Sequence, residues 1–385
     1  MTFCEIFINI VICYILQRYK SMKNNRLVMI VAISSILGIA ILSMIAASDD
    51  MEGSYPFNLT DSSGMEITID GPAESVIALS TESLDTLRSI GAESAVVGVS
   101  KYVLEDPILY PEFTDHPNVG GSFSPDLEAI LSYHPDIIFT YCSNPKPSEF
   151  DDLLQGTGIT IVRLDFNKIP NYEDEVRKMG RIMGREAEAE EYLEFFNSNV
   201  EAIQDSVSSI PEADRPRVYM ETDFGGGKTY STVGEGHGHN DLIMTAGGAN
   251  IFSDIDYSQE VDPEEVMRRD PQIIVKYKYP SPSGIDMDIS DVSGLIEIRD
   301  EINGRPELQN TSAVKAGEVY VITWDSTRGA ARFYFCLGYL AKLFHPQLFE
   351  DLDPRGTYQE YLSTYQGLDL DLTSQGVFAY PEVRT

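Results

Sequence analysis

Apolar and polar residues change period several times along this chain, and each change marks a predicted element. Phe57-Asn58-Leu59-Thr60 and Met65-Glu66-Ile67-Thr68-Ile69 alternate on either side of Asp61-Ser62-Ser63-Gly64, which predicts a β-hairpin. Ser75 to Ser80 reads as a buried strand running into Thr81-Glu82-Ser83, a helix start. Leu84, Leu87 and Ile90 give that helix its apolar face and Gly91 ends it. Ala95 to Val99 and Ile159 to Leu164 predict further strands, so this half reads as a parallel α/β sheet. Glu173 to Ile210 holds no proline, and Gly184 divides it into two helices. The second, Glu186 to about Ser209, sets Ala189, Leu193, Phe196, Val200 and Ile203 near helical spacing, as a stiff connector would. Arg217 to Glu221 then opens a second α/β series, closed by a strand at Val319 to Ile322 and a helix from Gly329 to Phe344.

One segment occurs twice. Ser124 to Phe139 and Asp262 to Val275 each read as a short helix, a proline turn and a buried strand. With Pro135 placed on Pro271, Glu128 falls on Glu264, 136 residues away. A unit recurring at that distance predicts two similar α/β lobes, each showing one carboxylate at a matching place.

The first fifty residues stand apart. Leu27 to Ala47 is an uncharged apolar run preceded by Lys20, Lys23 and Arg26, long enough as a helix to span a bilayer with its N-terminus inside. Ala46 and Ala47 suit signal-peptidase cleavage, so a removed signal and a retained anchor both remain open. No cysteine follows the run, which argues against a lipoprotein anchor. The expected organisation is a doubtful leader at 1–21, upstream of a start at Met22, then a signal or anchor helix at 22–48 and a linker at 49–55. An N-terminal lobe at 56–184, a connecting helix at 185–210 and a C-terminal lobe at 211–385 follow.

Composition narrows the function. With 61 Asp and Glu against 28 Lys and Arg, the net charge is −33, which argues against nucleic acid and anionic lipid and suits a high-salt habitat. Cys4 and Cys13 lie in the leader, leaving Cys142 and Cys336 as either a long-range disulfide or two free thiols. Asn58 and Asn310 begin sequons. Phe224-Gly225-Gly226-Gly227-Lys228-Thr229 fails as a phosphate loop: Thr222 stands where a glycine is needed, and the residues after Thr229 look extended. No Ser/His/Asp or Cys/His grouping recommends itself for nucleophilic catalysis.

From about Phe57 to Pro381 the chain resembles the helical-backbone (class III) extracytoplasmic solute-binding proteins of ABC importers for iron–siderophores, haem and cobalamin. The resemblance rests on the order and spacing of short segments: the hairpin with Gly64, Val76 to Ser80, Val97-Gly98-Val99-Ser100, and Leu127-Glu128 with Pro135 to Ile138. Ala246 to Asn250 and Glu264 with Pro271 to Val275 complete it. It implies an α/β fold of two Rossmann-like lobes joined by one long rigid helix, with a ligand cleft between them. It implies an exported protein, on the outer face of the cytoplasmic membrane, that performs no chemistry. Glu128 and Glu264 would dock on arginines of an ABC permease served by its ATPase, with Glu265 as the alternative second contact. A monomer is expected.

In the resembled fold, ligand sits on loops at the C-terminal ends of strands. The residues so placed are Ser80, Thr81, Tyr102, Phe123, Tyr141, Tyr230 and Tyr277, with Trp324, the only tryptophan, and Arg328 after the last strand. Aromatic lining suits a flat metal chelate or macrocycle, and Arg328 suits a carboxylate or catecholate oxygen. His237 and His239, in Gly234 to Asn240, are candidates to ligate a bound metal or to donate to an anionic chelate; the alternative is a flexible glycine-rich loop with solvated imidazoles. The cargoes expected are a ferric siderophore first, then a corrinoid, then haem, with no cofactor of the protein's own. A membrane-anchored sensor or scaffold of the same fold, and a metal-cofactor enzyme, are the alternatives.

Overall fold

A computed structural model describes residues 55–222, 230–278, 291–323, 332–372 and 376–382. The expected hairpin forms, Phe57 pairing with Ile69 and Thr60 with Glu66. The Asp61 carboxylate stabilises its turn by accepting the backbone N–H groups of Ser63 and Met65 at 2.9 and 3.0 Å.

The N-terminal lobe is built on four parallel strands: β1 (Val76–Ala78), β2 (Val96–Val99), β3 (Ile137–Thr140) and β4 (Thr160–Arg163), in the order β2-β1-β3-β4. Between them run α1 (Thr81–Ser89) and α2 (Leu127–Ser132). Ile77, Ile138 and Ile130 of α2 share one apolar cluster with Phe150 and Leu154. Helix α1 is capped by Ser80, whose Oγ accepts the Ser83 N–H at 3.1 Å, and all nine of its residues are buried, so it is a core helix in spite of its polar composition.

Two helices follow, α3 (Ile169–Met183) and α4 (Glu186–Ser208), parted by Gly184 at φ +63, a left-handed position that favours glycine. Helix α3 begins before the predicted Glu173 because Pro170 sits in its first turn, where the missing N–H costs nothing. Helix α4 buries Ala189, Leu193, Phe196, Val200 and Ile203, the stripe expected of it, together with Tyr192 and Val207. It packs on α1 and α3, and on the C-terminal lobe's α5 (Gly238–Thr245) and α7 (Phe333–Phe344).

The C-terminal lobe contains β5 (Arg217–Thr222), β6 (Ser231–Val233), β7 (Ala249–Asn250), β8 (Ser258–Glu260), β9 (Ile273–Lys278), β10 (Val319–Thr323) and β11 (Ala379–Tyr380). Strands β5, β9 and β10 are parallel and carry the core, with α6 (Pro263–Arg269) between β8 and β9. Unlike its partner, this sheet is mixed: β6, β8 and β11 join antiparallel.

The repeat survives in atomic detail. Ile130 and Val266, and Ile138 and Ile274, lie fully buried in their respective cores. His134 and Asp270, each just before its proline, both adopt the left-handed region, at φ 47 and 46. The Asp136 carboxylate accepts the N–H groups of Glu74 and Ser75 at 3.0 Å, and at the equivalent position Gln272 Oε1 accepts the Arg217 N–H at 3.0 Å.

The lobes are welded on the side of α1. Asp85 of α1 pairs with Arg332, just before α7, at 2.9 Å, and Tyr110 OH donates to Asp85 at 2.9 Å; the ion pair is fully buried. Gln366, near the C-terminus, returns to the same helix, its Nε2 donating to Asp85 O at 3.0 Å and its carbonyl accepting from Arg88.

Cys142 and Cys336 are free thiols, the second buried in α7. Asn58 and Asn310 are exposed. Among the described residues no helix is long and apolar enough to cross a membrane; the run Leu27 to Ala47 lies outside them.

Candidate functional site

A cavity of about 580 Å³ opens between the lobes. Eight residues expected from the sequence line it: Ser80, Thr81, Tyr102, Phe123, Tyr141 on one lobe, and His237, His239, Tyr277 on the other. Each reaches it for a local reason. Ser80 and Thr81 start α1 at the end of β1, Tyr141 follows β3, and Tyr277 is the penultimate residue of β9, so strand termini supply most of the wall. Trp324 and Arg328 lie outside the described residues.

Tyr230 does not belong to this wall. It takes a left-handed φ of 64, which turns its ring into the core of the C-terminal lobe with Tyr219 and Phe252. There its OH donates to Glu307 at 2.6 Å and the Arg305 guanidinium stands 5.0 Å from its ring. Position after a strand end was not enough; the backbone sign decided where the side chain went.

The sequence reading missed the ionisable part of the lining: Glu82, Asp165 and Lys168, with Asn167, Tyr257 and Phe333. Glu82 accepts from Tyr141 OH at 2.5 Å and from Thr81 Oγ1 at 3.0 Å, so one carboxylate organises two neighbouring wall residues. Asp165 accepts the Cys142 N–H at 2.7 Å. Both carboxylates carry a readable signal, since each lies within a few residues of a predicted strand end. Burial, then Asp165, pushes the Cys142 thiol well up, so it stays protonated.

The histidines are neither loose nor solvated. His237 caps α5, its Nδ1 accepting the His239 N–H at 3.2 Å, and His239 stands in the first turn. They are 8% and 6% exposed, with His239 edge-on to Tyr277 at 4.7 Å and His237 against Tyr257 at 4.8 Å. Burial, then Lys168, holds His237 down at about 4; burial, then His237, holds His239 well below the usual range. Both rings are neutral at neutral pH. Because His237 spends its Nδ1 lone pair on the cap, its proton sits on Nε2. Among the described residues no group of three or more His, Cys, Asp or Glu side chains is placed to hold a metal ion.

Gly238, between the histidines, makes one of the contacts between the lobes: a Cβ there would collide with the carbonyl oxygen of Asn167. The contact is backbone to backbone, which only glycine permits.

Away from the cavity, Glu128 on α2 and Glu264 on α6 are exposed, each in the first turn of its helix and preceded by an aspartate cap, Asp126 or Asp262. Glu265 is differently placed. It pairs with Arg268 and Arg269 at 2.5 and 2.7 Å, and these hold its carboxyl down at about 2.

The profile of the family described as periplasmic binding protein matches residues 76–325, from β1 through β10 and so across both lobes. The chain belongs to the periplasmic binding protein family. This periplasmic binding protein is 25% identical over 306 residues to a cobalamin-binding protein of Halobacterium salinarum, covering 78% of this chain and 77% of that one. It is 21% identical over 300 residues to YvrC of Bacillus subtilis, an uncharacterised ABC transporter substrate-binding lipoprotein, covering 77% and 88%. Its fold matches the TroA-like periplasmic binding protein FepB of Veillonella parvula with a TM-score of 0.67 at 22% identity, over 84% and 99% of the two chains.

Proposed function

We propose that this periplasmic binding protein is the solute-binding component of an ABC importer, that it captures a metal-centred chelate in the inter-lobe cavity, and that it presents the loaded lobes to a permease through Glu128 and Glu264. The observation that carries the reading is the pairing of one aromatic cavity between two lobes with one exposed carboxylate at the same place on each. A partner engaging both carboxylates at once reads the placement of the two lobes on either side of the cleft.

Within that class a corrinoid takes the first place over a ferric siderophore. The described lining holds two carboxylates, one lysine and two neutral imidazoles, a poor match for the polyanionic oxygens of a ferric catecholate. Tyrosine hydroxyls and an imidazole N–H suit the neutral amides around a corrinoid. The relative in Halobacterium salinarum carries that cargo in its name. A corrinoid exceeds the enclosed volume, and a cleft open between lobes accepts a guest that projects from its mouth.

The docking half is tested by Glu128→Lys with Glu264→Lys. Uptake by cells should be abolished while cargo affinity of the isolated protein stays within a few-fold. Lost affinity would place these residues in the pocket, and retained uptake would remove them from the permease interface.

A further inference from the structure

The two matched helices share more than a carboxylate. Three residues after Glu128, one turn along the same face of α2, stands Leu131; three residues after Glu264, on α6, stands Met267. They are equivalent in the repeat and equally uncovered, at 38% and 40% exposure. The residues just before them, Ile130 and Val266, are fully buried and fix how each helix is turned. Neither core therefore needs Leu131 or Met267. The neighbouring positions have diverged in chemistry, Ala129 against Glu265 and Ser132 against Arg268, while the carboxylate and the large aliphatic side chain occur in both copies.

We propose that Leu131 and Met267 are apolar anchors of the permease interface, so that each lobe docks through a carboxylate and an aliphatic side chain together. This rests on the permease-docking reading above. The occupant is set by the chemistry. Among the described residues neither Glu128 nor Glu264 has an ion-pair partner, so each is available to a cation, and a guanidinium with apolar neighbours satisfies carboxylate and aliphatic contact at once. Two like faces on one chain fit a partner presenting two like surfaces, as a permease of two similar halves does. An anionic bilayer would repel the carboxylates and the net charge of −33 behind them. The aliphatic contacts supply the desolvated centre that slows dissociation, while the carboxylates steer association.

The test is binding of the cargo-free exported protein to the permease–ATPase complex it serves, reconstituted in nanodiscs, followed by surface plasmon resonance at two salt concentrations. Leu131→Ser with Met267→Ser should weaken binding about tenfold or more, mainly through faster dissociation, with its salt dependence unchanged. Leu131→Met with Met267→Leu, which keeps both side chains apolar, should bind as the unaltered protein does, and equal thermal melts would exclude misfolding. If the serine pair binds within twofold while Glu128→Lys with Glu264→Lys does not bind, the anchors are refuted and carboxylate docking stands. If the lysine pair also binds normally, the docking reading itself falls.

Discussion

Tyr141 and Tyr277 occupy the same place in two copies of one structural unit, 136 residues apart, and both line the same cavity. Each copy thus runs from an exposed glutamate on a helix, through a left-handed residue and a proline, along a buried strand to a tyrosine facing the cleft. A single strand, β3 or β9, joins the outer face of each lobe to its inner one. Replacing either tyrosine by alanine should weaken cargo about tenfold or more by removing aromatic contact. Tyr141→Phe, which removes only the donor to Glu82, should leave that carboxylate less restrained and cost less. Fluorescence titration checks both, and equal loss from Phe and Ala at 141 would assign the effect to the hydroxyl instead.

The buried Asp85–Arg332 pair joins α1, which begins at the cavity with Thr81 and Glu82, to α7, which begins there with Phe333. Removing one partner leaves a charge without its counter-ion in the core. Asp85→Ala should therefore destabilise the protein by about 3–5 kcal/mol, and Arg332→Met with Asp85→Leu by much less. Urea denaturation measures both; a single variant within about 1 kcal/mol of the unaltered protein would show that the pair is not holding the lobes.

The histidines predict a pH response with a definite sign. His237 is held at about 4 when folded against an ordinary value near 6.5, so between these limits the unfolded chain binds the proton and the folded one does not. Its contribution is fully present above about pH 6.5 and is lost as pH falls towards 4, by about 3 kcal/mol at most. Carboxylates also titrate near the acid end, so the useful quantity is a difference. His237→Asn keeps a good helix cap and removes the titration, and should flatten the fall in stability across that window. An unchanged slope would mean that His237 is not buried as described.

Much of this was legible in the residues, and the exceptions have physical reasons. The repeat could be read because a glutamate and a proline at fixed spacing frame a buried apolar strand; six cavity residues followed from the rule that ligand sits at strand ends in the resembled fold, and the two histidines from their glycine-rich loop. The rule failed for Tyr230, whose left-handed backbone turned it inward. It was applied too narrowly after β4, where it would have found Asp165. The antiparallel additions to the second sheet and the return of Gln366 to α1 are long-range pairings with no local sequence signal. The repeat pointed to Glu264 with Glu265 as the alternative; that Arg268 and Arg269 engage Glu265 is visible only in the structure.

The central claim is that the inter-lobe cavity receives a metal-centred chelate. It is tested most directly by titrating the fragment from Met51 onward, in high salt, with cobalamin, a ferric siderophore and haem, following intrinsic fluorescence. Saturable quenching at sub-micromolar concentration by cobalamin, weakened by Tyr277→Ala, is the predicted result. Silence from all three in a chain shown to be folded would contradict it.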